Sequence, residues 1–430
     1  MLSLHQRWDP LKACVVGRCY PPEFFSYIKN HKVRNTFETI AQQTEEDYLK
    51  LISKLESFGV KVVRTDISDD LEIYLEQGKP PVPPMCPRDY LATIGDKFYM
   101  PSENYGDNID VDQFVKEFVR GDYNVVFNRF KEFPEIKEYI TDLFLPGRPI
   151  SDESAVSLIK KLAADSRGCL AGSLIHSEDR KNLEQLILQS QTLTIGSNEN
   201  FPNFKGFYAF KSTRDYVKSQ GNDIIYDEYV NGGQILSMGV DLLFGLNNII
   251  NKVNENAYLN RWKKKFPGNR LNLVDAPGHI DGRISPVTPG LVIMQEGLSV
   301  RHDFAGWDVL KIPSPRSIEP KFFANKKKVR GRYWVPGEEY NDEFNDYLDE
   351  WMGHWVTYVQ ETAFDLNILV IDEKNVLCNN ENEEVFKAFE RHGVTPHVVN
   401  FRHRFFWDGG LHCITTDIDR DGEQKDYFPD

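Results

Sequence analysis

Short β-prone runs folded around turn residues recur along this chain, and they limit it to an α/β fold assembled from small hairpins. LATIGDKFYM (91–100) sets two such runs around Gly95-Asp96, and ILSMGVDLLFG (235–245) turns near Gly239. ISPVTPGLVIM (284–294) turns at Pro289-Gly290, and NILVIDEKNVLCN (367–379) turns at Asp372–Asn375. Turn residues between β-rich runs are the local signature of a hairpin. Helical segments lie between the hairpins. Over 36–58, Phe37, Ile40, Tyr48, Leu51, Ile52, Leu55 and Phe58 recur at three- and four-residue steps, and Gly59 stops the helix before the strand VKVVRTD. EVFKAFERHG (384–393) repeats the pattern of helix, glycine and strand with VTPHVVNF behind it, and the opening run ACVV (13–16) reads as a buried strand. Together these predict a ββαβ-type module used several times at irregular spacing.

The chain has 430 residues, enough for one large domain or two ordinary ones. We read it as one domain over 1–430, with helical and loop elaborations around 101–225 and 312–340. The second of these carries the basic run KKKVRGR (326–332). With 65 acidic against 51 basic residues the net charge is −14, which repels phosphate backbones, so that run reads as solvated surface and no nucleic-acid partner is expected. The six cysteines, Cys14, Cys19, Cys86, Cys169, Cys378 and Cys413, form neither a CxxC nor a zinc-type cluster. The first twelve residues lack the apolar core of a signal peptide, and no run approaches the roughly 18 apolar residues of a membrane helix. The expectation is a reduced, cytoplasmic protein with no membrane partner.

Candidate chemistry gathers at four places. DGGLHCITTDI (408–418) puts Gly409 and Gly410 just ahead of His412 and Cys413. A cysteine at the start of a strand beside a flexible turn is well placed to react, although most free cysteines are small buried core residues. If the segment is a strand, His412 points away from Cys413, so a proton carrier has to come from elsewhere. GHIDGR (278–283) offers His279 and Asp281, which share a face on an extended segment. Taken alone the pair also fits surface polarity or a satisfied core contact. CPRDY (86–90) offers Asp89, equally readable as a turn aspartate behind Pro87. YVNGGQ (229–234) offers Asn231 in what is also a plain Asn-Gly turn.

In order along the chain, WDPLKACVVGR (8–18), PRD (87–89), HID (279–281) and GGLHC (409–413) resemble the glycine amidinotransferase family of the pentein superfamily. So do IHSEDR (175–180) and ILVIDEKNVLCNNENEEVFKAFERHGV (368–394). The likeness covers most of the chain and is poor over 101–170 and 190–225. It implies an α/β pentein fold: a propeller of five ββαβ modules around a pseudo-fivefold axis, with a single catalytic domain. It also implies Cys413 as nucleophile, His279 as proton carrier, and Asp89 and Asp281 as guanidinium-binding carboxylates, with no metal or organic cofactor. Arginine would give up its amidino group to Cys413 and leave as ornithine, and an amine would then collect the group. Homodimers are one assembly this resemblance allows.

Two positions depart from the family pattern. Where the family has an acid beside the histidine, this chain has Asn231, which could orient the imidazole through its amide oxygen. Asp227 or Glu228 are rivals for that place. The family's arginine for the acceptor carboxylate falls at Leu298 by ungapped extension from HID, while Arg283 and Arg301 are near but out of register. We take Arg283 as the candidate substrate-binding cation and leave the acceptor open between glycine and another amine. The same residues would serve a guanidino hydrolase using water, and a non-catalytic pentein binding protein would have little reason to keep all four.

Overall fold

The computed structural model describes residues 2–67, 82–100, 209–227, 230–245, 255–276, 279–313, 341–351, 364–407 and 409–429, with Val335, Gly337 and Glu338. Most of the two expected elaborations, the IHSEDR stretch, Cys169, Glu228 and KKKVRGR lie outside the described residues. The chain divides into two compact units, one of Met1–Ser102, Gly206–Gly245 and Asn272–Asp430, the other of Glu103–Lys205 and Leu246–Leu271. In the second, Trp262 stacks on Phe266 along a helix at Glu255–Lys265, with the Lys265 ammonium over the indole.

All four expected hairpins are present. Strands β1 (Leu11–Val16) and β2 (Lys61–Arg64) precede the first, β3 (Ala92–Ile94) with β4 (Lys97–Met100). After β5 (Ile224–Tyr226) come β6 (Ile235–Met238) with β7 (Asp241–Gly245), then β8 (Arg270–Asp275). The third hairpin is β9 (Ile284–Thr288) with β10 (Leu291–Gln295), followed by β11 (Ser299–Val300) and β12 (Asp308–Ile312). The fourth is β13 (Leu369–Asp372) with β14 (Asn375–Cys378), followed by β15 (Thr395–Val398) and β16 (Thr415–Arg420). Each hairpin is antiparallel. Three of them add a third strand parallel to the second: β5 on β4, β12 on β10 and β15 on β14. The other forms the sheet β11-β8-β7-β6. At the end of the expected elaboration around 101–225, a helix (Lys211–Ser219) and β5 add to the sheet begun at Ala92. The repeat is not uniform, because no helix lies between β10 and β12.

A fifth sheet joins the two ends of the described chain. β16 runs antiparallel to β1, and β2 runs parallel to β1 on its other side. With neighbours on both edges, β1 buries all of its residues but Lys12. Helix α1 (His31–Ser57) links β1 to β2 and starts five residues before the apolar repeat does. The cause is Asn30, whose side chain accepts from the backbone N–H groups of Lys32 and Val33. The expected stop holds: Gly59 follows the helix with φ 77°. No helix among the described residues is long and apolar enough to cross a membrane.

A buried ion cluster ties β16 to the turn at Pro87–Asp89. Asp417 takes Arg88 Nη2 on one oxygen at 2.7 Å and Arg420 Nε on the other at 2.8 Å. Burial alone would raise this carboxyl, but Arg420 and Arg88 hold it well below the usual carboxylate range. A lowered folded value means the stabilisation is present above the unfolded value near pH 4 and is lost as acid protonates the native carboxylate. Asp417→Asn would strand two buried guanidinium groups, so we expect a loss of about 3–5 kcal/mol, read by denaturant unfolding at neutral pH.

Candidate active site

Cys413 does not sit on a strand. Residues 411–414 form a tight turn that feeds β16 at Thr415, and this changes the expected side-chain directions. His412 and Cys413 both reach the same carboxylate: His412 Nδ1 lies 2.6 Å from Asp281 Oδ2, and Cys413 Sγ lies 3.4 Å from it. The alternation that would have sent them to opposite faces applies only in extended backbone.

Asn367 and Asn379, at the two ends of the β13–β14 hairpin, hold this turn. The Asn367 amide oxygen accepts the backbone N–H of His412 (3.0 Å) and of Cys413 (3.1 Å), while its Nδ2 donates to Cys413 Sγ (2.9 Å). Asn379 Oδ1 accepts from Leu411 N, and its Nδ2 donates to the carbonyls of Phe364 and Asn367. The glycines of GGLHC are explained by the same contacts. A Cβ on Gly410 would lie 2.6–2.9 Å from Asn367 atoms, and one on Gly409 would lie 2.9 Å from Cys86 Sγ. Neither glycine takes a positive φ, so close approach rather than backbone freedom is what they supply.

The other carboxylates arrive on short 3-10 turns. Pro87–Asp89 is one, and its middle residue, Arg88, is buried and ties it to the cysteine turn through the carbonyls of His412 (2.7 Å) and Thr415 (2.9 Å). Ile280–Gly282 is the other, with His279 as its N-cap. His279 and Asp281 therefore do not share the face of a strand, and the two-residue spacing works through the turn instead. His279 Nδ1 lies 3.4 Å from Asp89 Oδ1.

Asn231 also reaches His279, but with the opposite end from the one expected. Its Oδ1 is taken by the backbone N–H of Gly233 (2.8 Å), which leaves Nδ2 facing His279 Nε2 at 3.2 Å. The amide donates, so Nε2 is the ring's acceptor and the ring hydrogen lies on Nδ1, toward Asp89. The two glycines after Asn231 allow this packing. A Cβ on Gly233 would lie 2.9 Å from His279 Cγ, and one on Gly232 would press on the Arg88 and Leu91 carbonyls. Asn231→Ala removes the donor and frees the ring to turn. If His279 works as the proton carrier, a 10- to 100-fold lower kcat is expected, roughly one hydrogen bond to a charged or charging group, and an unchanged rate would deny Asn231 any orienting role.

Burial sets the electrostatics. It raises Asp281, an effect opposed by His279 and Arg88. It also pushes the Cys413 thiol well above its ordinary value, with Asp281, Cys86 and Asp89 adding to the effect and the Asn367 donor opposing it. Cys413 is thus a protonated thiol at neutral pH, with its S–H directed to Asp281 Oδ2. The second oxygen, Asp281 Oδ1, is buried and has no hydrogen-bond partner among the described residues.

The structure therefore brings Cys413, Asp281, Asp89, His279 and Asn231 together, and adds Asn367 as well as His412 and Arg88, which the motifs contain but to which they gave no role. Arg283 is buried where β9 meets β10, with Nη1 donating to Gln295 Oε1 at 2.7 Å. Leu298 packs against the core. Asp227 bonds through its backbone to Met100, at the end of the β4–β5 pair. No three His, Cys, Asp or Glu side chains among the described residues are grouped as a metal ion would need.

No family model matches the chain. Over 196 residues it is 25% identical to the L-arginine:L-lysine amidinotransferase of Pseudomonas savastanoi pv. phaseolicola, covering 44% of each chain. Over 158 residues it is 28% identical to the mitochondrial glycine amidinotransferase of Xenopus laevis, covering 35% of this chain and 29% of that protein. The chain thus spans less than half the length of the curated relatives it matches. Among solved structures, an amidinotransferase of saxitoxin biosynthesis from Microseira wollei superposes over 99% of both chains with a TM-score of 0.53 at 13% identity, a likeness of fold. The resemblance read from the motifs is borne out in that the chain is similar to arginine:lysine and glycine amidinotransferases.

Proposed function

We propose that this chain is an amidinotransferase that moves the amidino group of arginine to an amine through a covalent intermediate on Cys413. We also propose that its five small sheets arrange as a pseudo-fivefold propeller around that cysteine. The observation that carries the reading is at Asp281. One oxygen of this buried carboxylate faces the thiol, and the other has no partner among the described residues. A guanidinium is the ligand that fits, since it offers planar pairs of N–H donors and a carbon that can be set against sulfur. Asp89 supplies the second carboxylate.

The resting thiol is held up by burial and by these two negative charges. A bound guanidinium neutralises them, so the substrate itself favours the thiolate. As the thiolate forms, its proton passes to His279; sulfur attacks the guanidino carbon, and the C–N bond to the δ-nitrogen breaks as the imidazolium gives that proton to the nitrogen. Ornithine leaves and an amidino thioether remains on Cys413. An acceptor amine attacks the same carbon, loses its proton to His279 and expels the Cys413 thiolate, which takes that proton back from His279 and so returns to the resting thiol without an external oxidant or reductant.

The test is to incubate the protein with arginine and a panel of amines that includes glycine and lysine, and to follow ornithine, citrulline and new guanidino compounds. Ornithine that forms only with an amine, together with the matching guanidino product, and neither with Cys413→Ser, is the expected result. Citrulline and ammonia formed without any amine would make the chain a hydrolase instead.

A further inference from the structure

Two buried polar groups behind Asp281 are not used by that chemistry. His412 Nε2 is buried without a hydrogen-bond partner among the described residues, and so is Arg7 Nη1. Arg7 is 4% exposed, and no hydrogen bond or ion pair joins it to any described side chain. Both residues line one small cavity of about 20 Å³, together with Arg88, Thr93, Ser237 and Asp417. That is room for about one water, and a polar cavity of that size usually holds one. Its unpaired groups are complementary, a guanidinium N–H that must donate and an imidazole nitrogen that must accept.

We propose that His412 is a positioning residue that stays neutral. Its Nδ1–H locks Asp281 with one oxygen toward Cys413 and the other toward substrate, and Arg7, through a water in the cavity, keeps Nε2 as an acceptor. The 2.6 Å contact is the only hydrogen bond the ring makes among the described residues. Burial, then Arg7, Arg88 and Arg420, press His412 well below its ordinary value, which favours the neutral ring, and the Asp281 carboxylate 2.6 Å from Nδ1 is the acceptor that draws the ring hydrogen there. Burial and Arg88 lower Arg7 to about 9, which leaves it charged at neutral pH. A rotated Asp281 would offer the thiol a different oxygen and the substrate a poorer pair of acceptors.

This inference deepens the reading of Asp281 as the guanidinium carboxylate, but its test does not need turnover. The rate of Cys413 alkylation by iodoacetamide against pH reports the field of Asp281, Asp89 and Cys86 on the thiol, and arginine protection against alkylation reports guanidinium binding. Asparagine at 412 can place its amide N–H where Nδ1–H stood, whereas alanine cannot. His412→Ala is expected to shift the alkylation profile and to weaken arginine protection roughly 10- to 100-fold, and His412→Asn to restore both. Arg7→Gln, a milder change at the far side of the cavity, is expected to shift the profile in the same direction as His412→Ala. Equal impairment in His412→Asn and His412→Ala would make the residue a space-filler, and wild-type behaviour in His412→Ala would overturn the proposal. If the wild-type protein is not protected by arginine while His412→Ala still shifts the alkylation profile, the positioning role stands and the choice of donor substrate fails.

Discussion

Asp281→Asn is expected to lower kcat/KM by roughly 10²- to 10³-fold, the consequence of removing one partner from a buried charge pair, while making Cys413 faster to alkylate. The two effects have one cause. On the proposed reading the carboxylate holds the guanidinium, and with no cation bound it also raises the thiol. An amide keeps the shape and can still accept from His412 Nδ1, but it carries no charge to bind substrate or to oppose the thiolate. Stability should move the other way from activity. Burial raises Asp281 in the folded protein, so its contribution to stability is present at low pH and lost as pH rises through the folded value. Ionising this buried carboxyl therefore costs stability, and Asp281→Asn, which carries no charge, is expected to unfold no more easily than wild type in urea at neutral pH. Slower alkylation in the variant would mean that another group governs the thiol.

Asn367→Ala is expected to lose activity and stability together. Its Nδ2 is the described donor to Cys413 Sγ, and a hydrogen bond to a charged group contributes about 1.5–3 kcal/mol, or about 10- to 100-fold in rate. Its Oδ1 accepts two buried backbone N–H groups, and leaving each unpaired costs about 1–3 kcal/mol. Asn367→Asp separates the two roles. A carboxylate still accepts from His412 and Cys413, so the turn should hold, but it replaces a donor with a negative charge beside sulfur. We expect near-native unfolding with activity lower than in Asn367→Ala. Kinetics and denaturant titration on the same preparations read both.

What could be read from the sequence was local. The hairpins at 91–100, 235–245, 284–294 and 367–379 declare themselves because turn residues sit between β-prone runs, and α1 because its apolar spacing is helical and Gly59 stops it. The fifth sheet could not be read this way, since β16 and β1 pair across some four hundred residues and no local pattern records a partner. The motifs led to Cys413, His279, Asp281, Asp89 and Asn231, and these do converge. The geometry that joins them was misjudged where the backbone is a turn: His412 faces Asp281 with Cys413, and His279 caps a 3-10 turn. Asn367 and Asn379 escaped notice because asparagine at the ends of a hairpin reads as turn chemistry. Only the fold brings their amides to the cysteine turn. The Asn231 amide, too, is oriented by a backbone partner, Gly233, two residues away.

The most direct test is peptide mapping of protein quenched in acid soon after mixing with arginine, with no amine present. The expected result is an amidino group on Cys413 and on no other cysteine, formed in step with ornithine, discharged when an effective amine is added, and absent in Cys413→Ser. Ornithine production without any modification of Cys413, or undiminished turnover in Cys413→Ser, would contradict nucleophilic catalysis by this residue.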